Sequence, residues 1–136
     1  MTARVRALAG SSIVHVLFAF LAMGGWALFA NRAHSGGAML LAGLVQGTIS
    51  ASITLALKRA LEAMAGRLGG PAAFIVPPAI TCIVVLAVLV AVHRLAGTPE
   101  IWATIAVPYA VSSSYAWIYT ASLVVAARRG ERGAAP

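Results

Sequence analysis

Residues 74–92 read FIVPPAITCIVVLAVLVAV, nineteen positions without a charge. A helix crosses the hydrocarbon core of a bilayer, roughly 30 Å thick, with about 20 mostly apolar residues. This run therefore reads as a transmembrane helix. Working outward, three more runs of that kind stand at about residues 7–30, 38–57 and 101–127. In lipid every backbone polar group needs an internal partner, so each run is expected to be helical. The alternating pattern of a β-barrel is absent. The expected architecture is an all-α integral membrane protein, a single domain over residues 1–136, with four transmembrane helices in a compact bundle.

Composition agrees. Of 136 residues, 61% are hydrophobic and 10% charged, and the mean hydropathy is +0.93. Soluble domains carry about 25% charged residues, so a soluble enzyme, a disordered chain and a coiled coil are excluded. The net charge of +7 could suggest nucleic acid, but ten basic residues scattered between apolar runs build no docking surface. They read instead as topology. Arg4, Arg6, Lys58, Arg59, Arg67, Arg128, Arg129 and Arg132 fall on one side of the four-span scheme, and only Arg32 and Arg94 on the other. The excess of Lys and Arg on cytoplasmic loops then places both termini in the cytoplasm of a plasma (inner) membrane. The first run starts with a basic cluster but is too long for a signal core and lacks a clear cleavage site, so it is read as a retained helix.

The connectors are short. Residues 31–37 join the first pair of helices, and 93–100 the last pair, with Gly97 and Pro99 as breakers. The middle connector, KRALEAMAGRL at 58–68, has helix formers throughout and places Leu57, Leu61, Met64 and Leu68 on one face. The second helix is thus expected to extend into the cytoplasm, lying on the membrane surface or on a partner, until Gly69-Gly70-Pro71 stops it. Pro77-Pro78 suits the first turn of the third helix. The two hairpins share a Ser/Thr-rich second helix ending in a basic pair, but their residues do not align as a repeat.

Polar residues inside the spans are the functional candidates. Gly43 and Gly47 form a GxxxG pair, which lets helix backbones approach closely. Gln46, Ser50 and Thr54 follow one another at four-residue spacing, with Lys58 continuing the line and Thr48 and Ser52 in a second row. In the fourth helix, Pro108 precedes Ser112, Ser113, Ser114 and Tyr115. Ser and Thr often re-satisfy backbone groups that a proline frees, whereas broken backbone with hydroxyls also builds transporter sites. The polar seam between helices 2 and 4 is therefore either an interhelical interface or a pathway. In the pathway reading, Gln46, Ser50, Thr54, Ser112, Ser113 and Tyr115 line it, and Lys58 and Arg59 attract an anion or a lipid headgroup at the cytoplasmic mouth.

Other chemistry is not encoded. Glu62, Glu100 and Glu131 are the acidic residues, and all are expected outside the spans. Cation-coupled carriers usually place a carboxylate mid-membrane. His15 sits in the first helix, with His34 and His93 expected on the opposite side, which does not suit two axial haem ligands. Cys82 is the one cysteine, so no internal disulfide or cysteine-based metal site forms. No cofactor, metal site or catalytic set is expected. The sequence thus suggests a non-enzymatic transport or permeation unit for a neutral or anionic small solute or lipid headgroup. A non-catalytic accessory or assembly subunit of a larger membrane complex is the alternative. The expected partners are the bilayer and either further copies of the chain or a membrane subunit, with no nucleic acid.

Overall fold

A computed structural model describes the backbone of residues 3–133 and the side chains of residues 13–130. Arg4, Arg6, Glu131, Arg132 and the side chains of Ser11 and Ser12 lie outside these described residues. The chain is helical in four segments: α1 (Ala3–Ala30), α2 (Gly36–Ala65), α3 (Ala72–Leu95) and α4 (Ile101–Gly133). All four are long and apolar enough to cross a membrane. Large apolar side chains such as Phe18, Leu44, Ile83 and Ile118 are exposed, as expected where lipid is the solvent.

The helices form up-down neighbours with α2 and α4 at the centre. Each of these two touches the other and both remaining helices, while α1 and α3 do not meet among the described residues. The core runs along the α2–α3–α4 contact, in two groups: Leu57, Leu61 and Ala116, then Val85, Leu89 and Ile105.

Small residues set the α1–α2 contact. A Cβ on Gly24 would stand 2.9 Å from the Gly43 carbonyl oxygen, and one on Gly47 would stand 2.9 Å from the Phe20 carbonyl oxygen. The GxxxG pair is therefore occupied within the chain, against α1.

Three element limits differ from the sequence expectation. First, α2 continues past residue 57 as expected but ends at Ala65, short of Gly69, and its last turns pack within the chain rather than on a partner: Leu57 and Leu61 are buried beside Ala116 of α4. Second, α3 starts at Ala72, so Pro77 and Pro78 sit in its second turn rather than its first. Pro77 and Pro78 lack the N–H groups that would serve the Ala73 and Phe74 carbonyls, and one turn on Thr81 donates its hydroxyl to the Pro77 and Pro78 carbonyls, at 2.9 and 3.1 Å. Third, α3 runs past Val92 to Leu95, which takes His93 out of the connector and into the last helical turn, fully buried.

Candidate functional site

Gly97 places the first part of the site. It lies just past α3 with φ +67°, a left-handed conformation that glycine adopts without a Cβ penalty. The chain turns back, so that the Thr98 amide donates to the His93 carbonyl at 3.0 Å and the Gly97 amide to the Arg94 carbonyl at 3.2 Å. This is the Schellman arrangement. It also brings Thr98 Oγ1 to 2.7 Å from His93 Nδ1. The other ring nitrogen, Nε2, is 2.8 Å from Gln46 Oε1. Gln46 Nε2 in turn donates to Ser50 Oγ at 2.7 Å. With the amide group committed to Ser50, Gln46 Oε1 accepts, so His93 Nε2 carries the proton and Thr98 donates to Nδ1. Both ring nitrogens of His93 are thus engaged, and the Nε2–Gln46 bond joins α2 to α3.

A second buried knot ties α1 to α4 at the same end. Asn31 is fully buried. Its amide donates to Thr104 Oγ1 at 2.8 Å and to the Ala27 carbonyl at 2.9 Å, and its Oδ1 accepts from the Glu100 amide at 3.1 Å. That last bond satisfies a backbone donor at the start of α4, where intrahelical partners are lacking. Nearby, Trp26 Nε1 donates to the Ala103 carbonyl at 2.9 Å, and His34 stands 3.0 Å from Glu100.

Beyond Ser50 lies a cavity of about 220 Å³ between α1, α2 and α4. Its polar wall is Ser50, Thr54, Ser112 and Tyr115, with His15 joining from α1. The hydroxyls of Thr54 and Ser112 already donate to the carbonyls of Ser50 and Pro108, both at 2.8 Å, so toward the cavity they offer lone pairs. α4 stays helical through Pro108, whose missing N–H frees the Thr104 carbonyl rather than its own, so the Ser112 bond is the ordinary back-bond of a helical serine. The rest of the wall is apolar, including Phe18, Ala19, Met23 and Val111. Phe18 and Val111 are exposed, so the cavity opens between α1 and α4 toward the bilayer.

At the opposite end, Tyr115 and Tyr119 stack with ring centroids 5.2 Å apart. Tyr119 donates to Glu62 Oε1 at 2.6 Å, and Lys58 Nζ is 3.9 Å from the same oxygen. A polar series thus runs along the bundle from Thr98 through His93, Gln46, Ser50 and the cavity to Tyr119, Glu62 and Lys58.

The six residues expected along the seam separate into groups. Ser50, Thr54, Ser112 and Tyr115 meet at the cavity. Gln46 lies behind Ser50, in the bridge to α3. Ser113 does not line the cavity but a crevice with Thr81, Cys82 and Val85 that Ser112 also borders, and its buried hydroxyl has no hydrogen-bond partner among the described residues. Lys58 pairs with Glu62, whereas Arg59 is exposed on the outer surface. Thr48 and Ser52, the second polar row, donate back to the Leu44 and Thr48 carbonyls and line an apolar groove of about 570 Å³ between α2 and α3.

Sequence reading missed His93, Thr98, Asn31 and Thr104. Each stands at a helix end beside loop residues, where a polar residue is ordinary. Only Gly97, five residues after Val92, signalled that α3 could run on through His93 before turning. Among the described residues, no group of three His, Cys, Asp or Glu side chains could hold a metal ion. Comparison with protein-family models, curated proteins and solved structures finds no match for this chain.

Proposed function

We propose that the chain is a membrane transport or permeation unit, and that its solute occupies the cavity between α1, α2 and α4. The observation that supports this reading is the convergence of Ser50, Thr54, Ser112 and Tyr115 on one space of about 220 Å³, in a bundle whose other internal polar groups mostly bond to one another. That space has room for several waters or a small organic solute. Thr54 and Ser112 offer it lone pairs, Ser50 and Tyr115 keep hydroxyl protons to donate, and its apolar wall and lateral opening suit a molecule that partitions into lipid. A small neutral amphiphile fits better than an anion, since Lys58 and Arg59 do not line the cavity. The Gln46–His93–Thr98 chain closes one end and the Tyr119–Glu62–Lys58 group the other.

By the charge rule, the end carrying Lys58, Arg59, Arg67, Arg128 and Arg129 faces the cytoplasm, with Arg32 and Arg94 outside. The protein catalyses no reaction in this reading and binds no cofactor. It works in the plasma membrane, as a homo-oligomer or with a partner subunit. The accessory-subunit reading draws on a different feature, the apolar α2–α3 groove, whose small residues Ser52, Ala56 and Ala60 would admit a partner helix.

Filling the cavity tests the transport reading. Ala19→Phe adds a ring to the α1 wall without touching the hydrogen-bonded chain. In liposomes loaded with small neutral solutes, the parent chain should raise efflux of at least one of them, and Ala19→Phe should remove that efflux while the protein stays folded. Efflux that survives the substitution overturns the assignment. A chain that is stable only with a co-purifying membrane protein and leaks no solute supports the accessory reading.

A further inference from the structure

A separate cavity of about 430 Å³ lies at the Glu62 end, between the last turns of α2, the Gly69-Gly70 turn, the start of α3 and the last third of α4. At this level the apolar run of α4 gives way to Arg128-Arg129, the kind of boundary at which a span meets the headgroup layer. Its wall holds one carboxylate, Glu62, and one guanidinium, Arg128. The two form no ion pair with each other, and Arg128 makes no ion pair or side-chain hydrogen bond among the described residues. Tyr119 and Lys58 both address Glu62 Oε1, and Oε2 accepts no hydrogen bond among the described residues. The C-terminus of α2 ends here too, and its carbonyls add partial negative charge beside Glu62. Much of the remaining wall is Gly66, Gly69, Gly70 and Ala73, which leaves room, while Leu123 and Val124 give an apolar flank.

We propose that this cavity holds the headgroup of a zwitterionic phospholipid bearing a primary ammonium, with the phosphate on Arg128 and the ammonium on Glu62. One cation and one anion in a shared wall match a headgroup that carries both charges. An anionic headgroup would leave Glu62 opposed by like charge. A quaternary ammonium has no N–H to give to Oε2, whereas a primary ammonium has three. The acyl chains then run down the Leu123–Val124 flank into the bilayer. The site stands apart from the solute cavity and does not rest on the transport reading.

Lipid titration of the full chain in detergent, read by native mass spectrometry, tests the proposal. Phosphatidylethanolamine should bind about tenfold tighter than phosphatidylcholine or phosphatidylglycerol, the scale of one charge-assisted hydrogen bond. Arg128→Gln, at an exposed position, should weaken phosphatidylethanolamine about tenfold with thermal stability retained and any solute efflux unchanged. Glu62→Gln should erase the preference over phosphatidylcholine. Equal binding of the three lipids, or a phosphatidylethanolamine preference that both substitutions leave intact, overturns the assignment. Full competition by soluble phosphoethanolamine overturns the lipid as the source of the headgroup.

Discussion

His93 Nε2 and Gln46 Oε1 are 2.8 Å apart, although 47 positions separate them in the chain. Both side chains are fully buried. Their bond joins α2 to α3 between two further hydrogen bonds, one to Ser50 and one to Thr98. In hydrocarbon an unpaired polar group is costly, so the four residues stand or fall together. Breaking the bridge at one point leaves the partner's polar atoms in apolar surroundings.

Gln46→Leu should therefore destabilise the bundle, by about 1–3 kcal/mol, the cost of an orphaned buried polar group. Membrane hydrogen bonds average about 0.6 kcal/mol when measured by double-mutant cycles, so most of the loss should come from the stranded His93. The double substitution Gln46→Leu with His93→Phe should recover part of it. Unfolding in mixed micelles measures all three variants, and strict additivity would show that the pair is not coupled.

Gly97→Ala should act on the same network from outside it. The left-handed φ of +67° costs an L-residue roughly 1–2 kcal/mol. No atom lies within 4 Å of a Cβ at this position, so the penalty is conformational rather than steric. Gly97→Asn should cost less, because asparagine tolerates this region. Chemical shifts of the His93 ring report whether Thr98 stays on Nδ1. An unperturbed ring in Gly97→Ala would show that the turn does not hold Thr98 in place.

Gly47→Ala should loosen the α1–α2 contact, while Gly25→Ala should not. The new methyl at Gly47 would meet the Phe20 carbonyl oxygen at 2.9 Å and its ring at 3.0 Å, whereas a methyl at Gly25 meets nothing within 4 Å. Overpacking of this kind costs about 1–3 kcal/mol. Thermal melts of the two variants in the same detergent make the comparison. Equal melting temperatures would mean that the close approach is not tight in solution.

The membrane fold was legible because it depends on long-range composition. Runs such as 74–92 are long and apolar enough to cross a bilayer, and the helix starts expected at 101 and 38 lie within two residues of the observed Ile101 and Gly36. Helix ends were harder to place. Residues 58–65 are charged enough to leave a bilayer, yet Leu57 and Leu61 keep that segment on α4, because a helix about 45 Å long at 1.5 Å per residue need not stop where the hydrocarbon does. The cavity was half legible. Four-residue spacing identifies a face of α2 but not which neighbour covers it, and both α1 and α3 compete for that role. Gln46 and Ser50 are one turn apart, yet Gln46 is claimed by α3 and Ser50 reaches the α1–α4 cavity. Nothing in the serine triplet distinguishes Ser112 from Ser113. Helix rotation does, and it is set by how Ala116 and Ile105 pack against α2 and α3.

That rotation gives the last prediction. Ser112 spends its hydroxyl proton on the Pro108 carbonyl and lines the cavity between α1, α2 and α4. Ser113 Oγ is buried with no partner, as is Thr120 Oγ1 two turns on. An unsatisfied hydroxyl in an apolar setting opposes folding, and its removal relieves that penalty. Ser113→Ala and Thr120→Val should therefore leave stability unchanged or raise it by up to about 1 kcal/mol. Both should leave solute efflux untouched, since neither side chain lines the cavity. Ser112→Ala should change efflux instead, through the lost lone pairs on the wall. Micelle unfolding and liposome efflux, run side by side on the three variants, separate the two serines. If Ser113→Ala destabilises the protein or abolishes efflux, then its hydroxyl has a partner within the bilayer or lies on the path, and α4 must be turned about its axis to bring Ser113 toward the cavity.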